Sequence, residues 1–98
     1  MDKNKIISEI KKRNKRIQEL GVKEIGLFGS YSQNTQEPES DIDILVKFAE
    51  GKKTFDNYMD LKFLLEDLFN RNVDLVIEEN IKPGLQKSIL KSVEYAKL

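Results

Sequence analysis

Apolar residues recur along this chain at two spacings, and each change of spacing marks a new element. Ile6, Ile10, Ile17 and Leu20, with Ile7 alongside, follow the helical period up to Gly21, which predicts an amphipathic helix closed by a glycine. Val22 to Phe28 predicts a short strand, with Ile25, Leu27 and Phe28 apolar, running into Gly29-Ser30. Residues 31–40 are polar and contain Pro38, and are expected to be mostly loop after one helical turn. Ile42 to Phe48 is apolar apart from Asp43 and Lys47, the pattern of a strand covered on both faces. Beyond the turn Glu50-Gly51-Lys52-Lys53, Thr54 is an N-cap for a helix with Tyr58, Leu61, Leu64, Leu65 and Leu68 as its buried stripe. The phenylalanines of that helix are expected in the core as well. Asn70-Arg71-Asn72 breaks it, and Val73 to Ile77 is a third strand. Past the polar link Glu78-Glu79-Asn80, Pro83 opens a last helix, with Leu85, Ile89 and Leu90 expected to face inward. Val93 to Ala96 returns as a short edge strand.

This order predicts an α/β sandwich, a small mixed β-sheet packed with helices. Strands one and two are joined by a loop too short for a helical crossover and should be antiparallel. Strands two and three are separated by a full helix and can be parallel. No repeat, low-complexity tract or boundary interrupts the chain, so residues 1–98 are expected to form a single domain.

Composition narrows the chemistry. The 17 basic and 17 acidic residues cancel, so no global field favours nucleic acid. The basic run Lys11, Lys12, Arg13, Lys15 and Arg16 reads as a solvated helix face balanced by Glu9 and Glu19. The absence of cysteine removes thiol chemistry, and the absence of histidine removes the commonest general base and imidazole metal sites. Carboxylates, hydroxyls, lysines and backbone dipoles remain. The start of the chain has no signal-like apolar stretch and no run approaches membrane-spanning length, so a cytoplasmic protein is expected.

The acids stand in unusual places. Asp41 and Asp43 alternate at the opening of the second strand and so project to the same side. Asp74 lies near the start of the third strand, again among apolar residues. A lone Asp-x-Asp carries little weight, but three acids set in apolar strands cost free energy unless a cation lies between them. A divalent metal is the natural occupant. Gly29 would let a phosphate approach the backbone, and the Ser30 hydroxyl and the amides after it could donate to phosphate oxygens. Lys47 and Lys87 are the lysines considered for reaching a triphosphate, although both read better as surface charge.

Gly29-Ser30, Ser40-Asp41-Ile42-Asp43-Ile44-Leu45-Val46 and Val73-Asp74-Leu75-Val76 resemble the signature of the minimal nucleotidyltransferases, small members of the DNA polymerase β-like superfamily. The resemblance spans nearly the whole chain. It implies the nucleotidyltransferase fold and Mg²⁺-dependent transfer from ATP, with two ions held by Asp41, Asp43 and Asp74. Asp74 would also take the acceptor's proton, and Gly29 and Ser30 would cradle the triphosphate. It further implies the antitoxin of a toxin–antitoxin module, moving AMP onto a tyrosine of an all-helical HEPN-domain partner, alone or as part of a homo- or hetero-oligomer. Two departures stand out. Gln33 and Asn34 replace an arginine and a glycine common in relatives, and Glu39 replaces a frequent aspartate. Loss of the arginine is expected to lower triphosphate affinity or transfer rate. Two other readings compete: a module that neutralises its partner by contact alone, and an adenylyltransferase acting on a small molecule.

Overall fold

The computed structural model describes residues 1–98. Helix α1 (Lys3–Lys12) opens on Asp2, whose side chain accepts from the Lys5 amide at 2.9 Å. Helix α2 (Asn14–Glu19) follows after a break at Arg13. The expected single helix is therefore two, because Arg13 leaves the helical geometry and turns its amide to the Ile10 and Lys11 carbonyls. The apolar stripe survives the break: Ile6, Ile10 and Ile17 are all fully buried. Gly21 closes α2 with φ +86°, a conformation that a side chain would strain.

Four strands make one sheet: β1 (Val22–Phe28), β2 (Ile42–Phe48), β3 (Val73–Ile77) and β4 (Glu94–Ala96), in the order β3-β2-β1-β4. β1 pairs antiparallel with β2, as the short connection predicted, and with β4, while β2 pairs parallel with β3, which the helical connection allowed. The crossover from β2 to β3 is helix α4 (Phe55–Phe69), capped by Thr54, which accepts from the Asn57 amide at 3.1 Å. The short helix α3 (Gly29–Gln33) follows β1, and a 3₁₀ turn (Glu78–Asn80) precedes helix α5 (Pro83–Ser92).

Strand alternation sorts the sheet into two faces. Ile25, Leu27, Ile42, Ile44, Val46, Val73 and Leu75 point into one core, closed by Ile6, Ile10 and Ile17 below and by Leu61, Leu65 and Phe69 of α4. Tyr58, Leu64 and Leu68 pack only at its margin. The other face carries Gly26, Phe28, Asp43, Leu45, Lys47, Asp74, Val76 and Tyr95, of which Phe28 and Leu45 are buried, and α3 and α5 both contact the strands.

Two expectations about the core fail. Phe55 and Phe63 of α4 are 78% and 57% exposed, because they fall off the stripe that meets the sheet. Leu85 and Leu90 of α5 are 56% and 37% exposed, and Ile89 is half-buried. α5 leans on the sheet near its C-terminal end, where Gly26 leaves room for Val93 and Tyr95. No residue of α5 is buried.

Candidate active site

The end of β1 and the beginnings of β2 and β3 meet at one edge of the sheet. Phe28 pairs with Asp43 across the antiparallel ladder, and Asp43 pairs with Asp74 across the parallel one. Paired residues share a face, so these two carboxylates stand side by side on the thinly covered side. Asp41 lies just before β2, exposed, and is close enough to add to the charge felt at Asp43. Burial pushes the Asp43 carboxyl up to about 6, with repulsion from Asp74 and then from Asp41 adding to it.

Gly29 is dictated by Asp43. Its φ of +72° favours glycine, and a β-carbon there would run into the Asp43 carboxylate. The backbone thus passes directly against the central acid, opening a cradle that any other residue would fill. Ser30 follows in the first turn of α3, and its hydroxyl has no partner within the chain, while its carbonyl accepts from the Thr35 amide at 2.9 Å. Ser32 donates to the Ser92 carbonyl and so ties α3 to the end of α5.

The chemistry of the donor set fits a cation. None of Asp41, Asp43 and Asp74 has a hydrogen-bonded or ion-paired partner in the chain, although Asp43 is half-buried. Unpaired like charges are the situation a divalent ion relieves. The three carboxylates do not converge tightly enough to enclose an ion by themselves. That arrangement suits Mg²⁺, which retains several waters and takes only one or two carboxylates beside phosphate oxygens.

Other residues considered from the sequence are placed elsewhere. Lys47 shares a strand face with Asp43 but lies four residues on, about 13 Å along the strand. It lines a cavity of about 590 Å³ with Lys23, Lys53 and Glu79 at the opposite end of β2. A second cavity, of about 470 Å³, lies beside it around Phe55, Tyr58 and Ile77. Neither contains an acid of the cluster, which lies on an open shelf. The shelf, with unpaired carboxylates against a bare backbone, is the candidate site. Lys87 is exposed on α5. Of the basic run, Lys12 pairs with Glu9 at 3.3 Å and Arg16 approaches Glu19 at 4.0 Å, as a solvated helix face does.

Asn34 has φ +60°, the left-handed position at the end of α3. Asparagine tolerates that conformation, so it can stand where the family resemblance led us to expect a glycine. Arg71 escaped notice in the sequence. It appears there only as part of a helix-breaking triplet, yet its guanidinium donates to the Pro38 carbonyl 33 residues away.

The nucleotidyltransferase domain model matches residues 7–96. A protein adenylyltransferase, MntA, of Thermococcus cleftensis is 41% identical over 76 residues, covering 78% of this chain and 76% of that one. A solved structure provisionally assigned as a minimal nucleotidyltransferase superposes with a TM-score of 0.82 at 29% identity, covering 96% of this chain and 95% of the other. A toxin–antitoxin structure containing AMP-PNP gives 0.71 at 28% identity, covering 99% and 73%. The chain belongs to the nucleotidyltransferase family, among its minimal members, and is a nucleotidyltransferase. The sheet and helices described above are the nucleotidyltransferase fold. No helix is long and apolar enough to cross a membrane.

Proposed function

We propose that residues 1–98 act as a single Mg²⁺-dependent domain that transfers AMP from ATP to a tyrosine of a HEPN-type toxin and thereby silences it. The observation that carries this reading is the unpaired Asp43–Asp74 couple set against Gly29, with Asp41 beside it. The likeness to a protein adenylyltransferase and to a toxin–antitoxin assembly holding an ATP analogue supports the donor, the acceptor class and the antitoxin role.

Asp41, Asp43 and Asp74 would hold Mg²⁺, which when bound neutralises the triphosphate and the charge that builds up during displacement. Gly29 leaves the backbone open to the β- and γ-phosphates, and the Ser30 hydroxyl and neighbouring amides donate to them. An acceptor oxygen attacks the α-phosphorus, the bond to the oxygen bridging to the β-phosphorus breaks, and pyrophosphate leaves. Asp74, at the outer side of the couple and exposed, takes the acceptor's proton; no histidine competes for that role. The open shelf accounts for a protein acceptor, because the partner's surface would exclude the water that this chain cannot exclude alone.

The test is transfer of label from α-³²P-ATP to the purified partner, with Mg²⁺ and with EDTA. A labelled partner whose modified residue is tyrosine, lost in EDTA and in Asp43→Asn, supports the proposal. Neutralisation of the toxin by unlabelled contact, or labelling of a small acceptor instead, would replace it.

A further inference from the structure

Asp41 is the one acid of the cluster that no strand holds. It belongs to the loop between α3 and β2, outside the ladder that begins at Ile42. Within that loop the bonds are local: the Glu37 amide donates to Ser40 Oγ at 2.8 Å and the Ser40 amide to the Glu37 carbonyl at 3.0 Å. Together they close a small turn, residues 37–40, that ends one residue before Asp41. Thr35 is tied back to Ser30, and Ile42 donates to the Asn72 carbonyl at 3.1 Å at the base of the strand. Between those points, residues 36–41 make a single hydrogen bond to the rest of the chain, from Arg71 to the Pro38 carbonyl.

The backbone on both sides of Arg71 is fixed. Asn70 closes α4 in the left-handed conformation with φ +52°, and two residues after Arg71 the Val73 amide donates to Glu66 Oε2 at 3.1 Å. Arg71 joins none of the ion pairs in the molecule, so charge balance within the chain does not explain it. It leads into the strand that carries Asp74 and reaches across to the loop that carries Asp41.

We propose that Arg71 is a positioning residue that fixes Asp41 relative to Asp43 and Asp74. The inference rests on the reading of these acids as the nucleotidyl-transfer site. An exposed hydrogen bond adds little to global stability, so its effect falls on the local placement of one carboxylate. Placement errors of about 1 Å at reacting groups can cost up to about 100-fold in rate.

The experiment compares wild type, Arg71→Ala, Arg71→Lys and Asp41→Asn. Amide hydrogen exchange is read without substrate, and transfer is read against Mg²⁺ concentration. In Arg71→Ala the Ser40 amide should exchange about 10-fold faster, while amides of Ile25, Leu27 and Ile44 and the melting temperature stay at wild-type values. Half-activating Mg²⁺ should rise about 10-fold and kcat should fall, with KM for ATP within about twofold. Arg71→Lys, which keeps one donor for the Pro38 carbonyl, should recover most of both effects. Wild-type exchange and Mg²⁺ dependence in Arg71→Ala, beside an inactive Asp41→Asn, would overturn this inference and leave the site reading intact. Uniformly faster exchange across the core would also overturn it, by making Arg71 merely structural. Full transfer by Asp41→Asn would remove the site reading and this inference with it.

Discussion

The two faces of the sheet follow opposite rules. On one, Ile25, Leu27, Ile42, Ile44 and Val46 are completely buried under α1, α2 and α4, and no polar side chain interrupts them. On the other, buried Phe28 and Leu45 alternate with Gly26, Asp43, Lys47 and Asp74, and α3 and the end of α5 lie against the strands. The packed face fixes register, and register then delivers Asp43 and Asp74 to the same place on the open face. In the proposed reading, stability and chemistry are carried by alternate residues of the same strands. The open face bears the cost: a half-buried acid, Asp43, beside Asp74 and Asp41, with no partner in the chain.

The sharpest way to break this comparison is to substitute neighbours in β2. Asp43→Asn should lower transfer by about 1,000-fold or more, while thermal unfolding of the metal-free protein is unchanged or slightly improved. Ile44→Ala should do the reverse, costing about 2–5 kcal/mol by denaturant titration while the folded fraction keeps its specific activity. If Asp43→Asn unfolded the protein, the division between faces would be wrong.

Gly29→Ala sits between these extremes. The left-handed conformation alone should cost about 1–2 kcal/mol, and the new methyl group must displace the Asp43 carboxylate, so activity should fall along with stability. Denaturant titration and transfer assays on one preparation would separate the two losses.

The raised Asp43 carboxyl gives a pH test of known sign. Its folded pKa, about 6, lies above its ordinary 3.8, so between these values the folded state binds more protons. Its contribution to stability is fully present below 3.8 and is lost as pH rises through about 6. Melting curves in EDTA should show this small trend in wild type and not in Asp43→Asn. Mg²⁺ affinity should run oppositely, rising with pH through about 6 as the proton leaves. The smallest effect is expected at Leu85: Leu85→Ser, on the exposed side of α5, should change the stability of the isolated chain by no more than about 0.5 kcal/mol.

Much of this was legible in the sequence because it depends on local period and loop length. The strands, the antiparallel first pair and the capped helix at Thr54 all follow from spacing, whereas the facing of Asp43 with Asp74 depends on a register that spacing does not give. The exposed Phe55, Phe63, Leu85 and Leu90 were misread because period reveals an apolar stripe but not whether anything lies opposite it. The break at Arg13 was missed because no glycine or proline marks it. Arg71 was invisible for another reason: a contact across 33 residues to a backbone carbonyl leaves no pattern in either segment. The unpaired state of the three acids is likewise a fact of three dimensions, although their placement among apolar residues hinted at it.

The most direct test of the central claim is a crystal structure with Mn²⁺ and a non-hydrolysable ATP analogue, using anomalous scattering to locate the metal. The account places the manganese peak against Asp43 and Asp74, with the triphosphate along Gly29 and Ser30. Nucleotide bound instead in the cavity lined by Lys23, Lys47 and Lys53, with no metal at the acids, would contradict it.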